Sequence, residues 1–202
     1  MKTTKVGLAH STRKYFFTLK TDPLVFLGED EGKSIMSDIR ERVRTRTISW
    51  EDPMVGAQAG RTMSGLEYLK AMQEGIIPPP PIAVLMDVAI TEVSEGRVVF
   101  SALPAEYHYN PLGTVHGGMA ATLLDSALGC TILSTLPAGT GFTTLEIKVN
   151  YLRPMTHKTG IVYGEGKVIQ VGGRVATAEG RITDANGKLY AHATTTCIIL
   201  RP

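Results

Sequence analysis

Residues 117 to 136, GGMAATLLDSALGCTILSTL, constrain the fold more than any other stretch of the chain. Drawn as a helix, they place apolar side chains on every face, and a helix apolar all round must be surrounded. The surrounding layer is either lipid or protein. The length suits a bilayer, but the one charge, Asp125, sits in the middle, where insertion costs about 2.5–3.5 kcal/mol. Gly, Ser and Thr dilute the run and no basic flank adjoins it. The segments that follow alternate like a soluble sheet, so the expected wrapping is protein.

The sheet is legible on both sides of this helix. MDVAITEV and GRVVFSAL read as two strands joined by a turn at Ser94, Glu95 and Gly96. After the helix, TTLEIKVNYL alternates, which predicts Leu145, Ile147, Val149 and Tyr151 on one face and Glu146, Lys148 and Asn150 on the other. GIVYGEGKVIQV, RVATAEGRIT and KLYAHATTTCIIL follow, separated by a Gly-Gly turn at Gly172 and by DANG. Tight turns imply antiparallel neighbours. The expected architecture is α+β: one curved antiparallel sheet around one long buried helix, with no internal repeat. GEGK lacks the phosphate-loop spacing and its Ser or Thr, so its glycines read as strand bending or close packing.

Upstream, SGLEYLKAMQEG reads as an amphipathic helix. Ser64 is its cap, Glu67 completes a capping box, and Gly75 is the stop. Pro78 to Pro81 read as an extended linker. Residues 1–62 read as an N-terminal extension to a domain over 63–202, and residues 1–35 as a disordered or optional part of it. Arg40, Arg42, Arg44 and Arg46 alternate, which suggests a short edge strand with a solvated basic face.

Of the 202 residues, 43% are hydrophobic and 20% charged, enough for a core of ordinary size. A net charge of +2 is too small to argue for nucleic acid or an anionic membrane, and neither is expected as a partner. Neither the two cysteines nor the five histidines show metal-ligand spacing, and no cofactor is expected. The N-terminus lacks the pattern of a signal peptide. A reduced, cytoplasmic protein is the expectation.

The candidate site lies along the long helix. Its first N–H groups and the positive end of its dipole form a ready site for an oxyanion. Gly117 and Gly118 bring no side chain to block a ligand. His116 precedes them, and Asn110 lies six residues earlier in an Asn-Pro turn. Asp125 is expensive in an apolar helix unless it is paired or functional, and it suits a general base or nucleophile.

NPLGTVHGGMAATLLD resembles the signature of hotdog-fold acyl-CoA thioesterases, in the group related to phenylacetic-acid degradation, and TTLEIKVNYLRP resembles that group's next strand. The resemblance runs over about residues 80 to 200. It implies that Asp125 is the catalytic carboxylate and the Gly117 N–H the oxyanion donor. It further implies that Asn110 and His116 orient thioester and water, and that a hydroxyl from Thr144 (or its neighbour Thr143) lies near the nucleophilic water. The substrate would be an acyl-CoA, its acyl group bordered by residues such as Gly118, Leu124, Leu128 and Tyr151.

Spacing adds a constraint of its own. Eight residues separate Gly117 from Asp125, about 12 Å along a helix axis, whereas reacting groups must come within about 3–3.5 Å. One helix cannot supply both. A two-fold dimer with antiparallel helices would pair Gly117 of one chain with Asp125 of the other, so a homodimer, or a tetramer of such dimers, is expected, with Asp125 on an apolar seam. A hotdog-fold hydratase or dehydratase is disfavoured, because its acid lies near the helix start. A non-catalytic acyl-CoA sensor would need an output module, and residues 1–62 show no convincing helix-turn-helix.

Overall fold

The computed structural model describes residues 6–10, 13–17 and 43–201. The chain forms two compact units, Met1–Thr47 and Ile48–Pro202. The first holds an antiparallel pair, β1 (Val6–His10) and β2 (Arg13–Phe17). The expected basic edge strand is absent where it can be followed: residues 43–50 are irregular, and Arg40 and Arg42 lie outside the described residues. Alternating charges favour an exposed edge but supply no ladder partner. The expectation for residues 1–35 likewise lies mostly outside the described residues.

The second unit opens with α1 (Pro53–Ala59), capped by the Asp52 carboxylate, which accepts from the Met54 N–H at 2.9 Å. The next helix, α2 (Gly65–Gln73), has the capping box its sequence predicts. Ser64 Oγ accepts from the Glu67 N–H, and Glu67 Oε2 accepts from the Ser64 N–H at 3.0 Å. Its end is equally local. Gly75 takes a φ of +75°, its N–H bonds the Met72 carbonyl, and the Ile76 N–H bonds that of Ala71. The four prolines are not all linker. Pro81 is the first residue of α3 (Pro81–Met86), where a missing N–H is harmless.

Six antiparallel strands follow: β3 (Val88–Ser94), β4 (Arg97–Ala102), β5 (Gly141–Tyr151), β6 (Val162–Val171), β7 (Val175–Asp184) and β8 (Leu189–Leu200). Their order is β3-β4-β6-β7-β8-β5, so β3 and β5 are the edges. The long helix, α4 (Gly117–Leu133), lies against the curved sheet. Its own Leu123, Leu124, Leu128 and Ile132 are fully buried, each worth about 1.5–3 kcal/mol. Among the described residues, no helix is long and apolar enough to cross a membrane.

The helix sits close because the strands under it carry glycine. A Cβ at Gly164 would lie 2.8 Å from Leu123 Cγ, one at Gly166 2.7 Å from the Ala127 carbonyl, and one at Gly180 3.0 Å from Leu128 Cδ2. The glycines of GEGK are therefore packing residues. At its far end α4 meets α2: the Gly65 N–H bonds the Leu136 carbonyl, and a Cβ at Gly65 would overlap the Leu133 carbonyl.

Gly166→Ala should destabilise the fold by about 1–3 kcal/mol, because its methyl would meet Thr131 Oγ1 at 2.5 Å as well as the Ala127 carbonyl. Urea unfolding checks this. An unchanged midpoint would mean that α4 can lift from the sheet without loss.

Candidate active site

The start of α4 is built by the loop before it. Asn110 Oδ1 accepts from the N–H groups of Leu112 and Thr114 at 2.9 and 3.3 Å, and its amide donates to Thr114 Oγ1. Gly113 turns the loop with a φ of +76°. The Asn110 side chain thus shapes the turn in its own loop. The loop returns to the body where the Val115 N–H bonds the Met155 carbonyl and the His116 N–H bonds that of His108.

His116 is the N-cap of α4. Its Nδ1 accepts from the Gly118 N–H at 2.8 Å, so the neutral ring carries its proton on Nε2. Each glycine of the pair has its own steric reason. A Cβ on Gly118 would lie 2.9 Å from His116 Nδ1 and push the cap away, and one on Gly117 would press on the Tyr151 ring at 3.2 Å. The Gly117 N–H makes no hydrogen bond among the described residues. It borders a cleft of about 280 Å³ between the helix start and the end of β5, lined also by His116, Ala120, Tyr151, Arg153 and Tyr190.

Of the residues expected around the acyl group, Tyr151 reaches this cleft. Gly118 does not border it, and Leu124 and Leu128 are wholly buried in the core. Periodicity marks a leucine as apolar, not the layer into which it points. Arg153, Tyr190 and Ala120 were missed, although Arg153 stands within YLRP.

Asp125 lies two turns along α4 and receives the Thr144 hydroxyl on Oδ1 at 2.9 Å. The neighbour, Thr143, is exposed. This contact depends on a break in the alternation predicted for β5. Thr144 pairs with Cys197 and Glu146 with Thr196, leaving Leu145 as a bulge, 58% exposed. The extra residue puts Thr144 on the same face as Ile147, Val149 and Tyr151. Leu145, expected on that face, is the residue expelled from it.

The fold also corrects the expected setting of Asp125. It is exposed, in a stripe with Gly118, Ala121 and Thr122 that the sheet does not cover. The stripe is small and polar, not an apolar seam. Neither cysteine competes as nucleophile. Burial, with the Asp125 carboxylate adding to it, pushes the Cys130 thiol up to about 12, and burial raises that of Cys197. Both are unpaired. Among the described residues no cluster of His, Cys, Asp or Glu could hold a metal ion.

A long helix held against a curved six-stranded antiparallel sheet, with HGG at its start, is a hotdog fold. Residues 112–191 match the thioesterase superfamily. A protein of Saccharolobus solfataricus that bears an esterase designation is 32% identical over 133 residues, 66% of this chain and 93% of the relative. Human acyl-coenzyme A thioesterase 13 is 29% identical over 109 residues, 54% of this chain and 76% of the relative. A solved structure from Ralstonia eutropha, described as a phenylacetic acid degradation-related thioesterase, superposes with a TM-score of 0.60 at 29% identity, covering 65% of this chain and 98% of that one. The chain belongs to the thioesterase superfamily and is a thioester hydrolase.

Iodoacetamide at pH 8 should leave Cys130 and Cys197 unmodified in the folded protein, because a thiol with a raised pKa stays protonated there. Mass spectrometry and thiol-release assays check this together. Rapid alkylation of Cys130 with loss of turnover would reopen a thiolate mechanism.

Proposed function

We propose that the chain hydrolyses acyl-CoA thioesters to a free acid and CoA, in a site shared across a two-fold dimer. The observation that carries this is the placement of Asp125, held by Thr144 on the uncovered stripe of α4 and about 12 Å along the axis from the free Gly117 N–H. Thr144 engages Oδ1 and leaves Oδ2 to take a proton from water. The resulting hydroxide adds to the thioester carbonyl, and the Gly117 N–H of the partner receives the oxyanion. Collapse breaks the C–S bond, and the proton passes from Asp125 to the departing thiolate. Attack by the carboxylate itself would pass through an acyl anhydride and use the same Oδ2. His116 presents Nε2–H near the oxyanion, and Asn110 acts by shaping the loop that delivers His116.

The sheet edges favour this dimer. Edge β3 is protected: it bulges between Ile90 and Glu92, and the Gln73 amide donates to the Thr91 carbonyl. Edge β5 is eleven residues long and has no neighbour on its outer side among the described residues. Two β5 strands paired antiparallel about Lys148, with Leu145 bulged out as it is against β8, would set Thr144 opposite Tyr151 of the partner. Thr144 marks Asp125 and Tyr151 marks Gly117, so this register joins the two half-sites. The small residues of the uncovered stripe let the helices approach. Whether dimers pair further is a separate matter of outer-face contacts. The unpaired thiols, Cys197 buried and Cys130 half-buried, favour a reducing compartment such as the cytoplasm.

Asp125→Asn should lower kcat by about 10²–10⁴-fold. Thr144→Val should lower it about tenfold through loss of a hydrogen bond to a charged group, with Thr143→Val near wild type. Thiol release from a panel of acyl-CoA esters measures all three. Full activity in Asp125→Asn would reduce that residue to a structural one, and binding without thiol release by wild type would favour a sensor.

Subunit mixing tests the shared site. Asp125→Ala and the double variant Asn110→Ala, His116→Ala should each be nearly inactive alone. Co-expressed equally, they should form heterodimers in about half of pairings, each with one intact site, and recover roughly a quarter of wild-type activity. Heterodimers, confirmed by differential tags, that show only the sum of the parents would place each site within one chain.

A further inference from the structure

Beside the C-terminal half of α4 lies a second cavity, of about 240 Å³. Its walls include Ala57, Gly60 and Met63 from α1 and the turn after it, Tyr68 from α2, and Leu133 and Phe142. We propose that this cavity receives the hydrocarbon end of the substrate's acyl group, so that the α1–α2 segment sets the acyl length the enzyme accepts. This rests on the reading of Asp125 as the carboxylate that serves the thioester.

The path from Asp125 to the cavity is short. Gly129 lies one turn further along α4, about 6 Å, and Leu133 about 12 Å. Phe142 precedes Thr144 by two residues on the same face of β5, about 7 Å away. Its ring packs on Gly129, where a Cβ would come within 2.9 Å. One edge of the Phe142 ring thus packs on the turn next to the one that carries Asp125, and the ring also forms a wall of the cavity.

The walls are uncharged, with Thr140 and Tyr68 as the side chains that carry a hydroxyl. No Asp, Glu, Lys, Arg or His lines the cavity. Burial raises the Tyr68 phenol above its ordinary value, so it stays neutral. The cleft at the other end of α4 carries Arg153 and His116. In the antiparallel dimer, one protomer's uncharged cavity and its partner's basic cleft would flank the same thioester. The uncharged side takes the acyl tail and the basic side the CoA. The outer wall belongs to α1 and α2, which lie outside the 112–191 stretch matched to the superfamily. Acyl preference would therefore come from a part of the chain separate from the catalytic residues.

Ala57 is exposed on α1, so Ala57→Phe can fill the cavity without entering the core, whereas Met63→Ala enlarges it. The 202-residue chain and both variants are assayed with acetyl-, hexanoyl- and decanoyl-CoA, after circular dichroism and thermal melting establish folding. Each methylene shut out of an apolar pocket costs about fourfold in affinity. The wild type should favour hexanoyl- over acetyl-CoA in kcat/KM. Ala57→Phe should lower that ratio at least tenfold, and Met63→Ala should raise the decanoyl-to-hexanoyl ratio. Should Ala57→Phe fail to fold, Met63→Ala decides alone. Unchanged ratios in folded variants, or a wild type indifferent to chain length, would overturn the acyl pocket and leave the thioesterase reading intact. A wild type that cleaves none of the esters would overturn both.

Discussion

The close approach of α4 to its sheet governs the rest of the molecule. An apolar helix can be brought that near only if the strands beneath it give up side chains, and Gly164, Gly166 and Gly180 do so at the points of contact. The gain is a dry, dense interface built around Leu123, Leu124, Leu128 and Ile132. The price is a helix whose orientation is no longer adjustable. Because the sheet covers most of its circumference, only the stripe containing Gly118, Ala121, Thr122 and Asp125 stays open. Chemistry on this helix is confined to that stripe and to its two ends.

Those ends differ in how they were made. The N-terminal end is largely local: a loop organised by Asn110, a histidine folded back onto the Gly118 N–H, and Gly117 between the two partners of that bond. The C-terminal end is assembled from distant pieces, with Gly65 against Leu133 and Phe142 against Gly129. The first offers a free donor and a polarised helix end, and the second a pocket without charge. A thioester needs both kinds of surroundings, since its carbonyl polarises while its acyl chain stays apolar.

Local grammar was the readable part of the sequence. The Ser64 and Glu67 box, the Gly75 stop, the succession of strands along the chain and the start of α4 at the Gly-Gly pair all follow from interactions within a few residues of one another, whereas the sheet order, with β5 beside β8, does not. What escaped reading depended on partners far along the chain. Leu145 looks like a core residue in TTLEIKVNYL, yet its register with β8 expels it. Pro81 looks like linker until α3 uses it as a first residue. Leu124 and Leu128 belong by composition to a pocket or a core, and only the sheet's position assigns them to the core. Asp125 is the instructive case. Its isolation among apolar residues was visible, but its hydroxyl partner and its open surroundings required β5 to be placed beside it.

The bulge at Leu145 divides β5 into two stretches of opposite phase. Upstream, Phe142 and Thr144 serve the second half of α4. Downstream, Ile147 and Val149 pack on the core and Tyr151 covers the helix start. Without the inserted residue, one alternating pattern would govern the whole strand, and a change of face at either end would force a change at the other. With it, the stretch bordering the acyl cavity and the stretch bordering the helix start can drift separately in sequence. A strand that is continuous as a backbone is thus two modules as a surface.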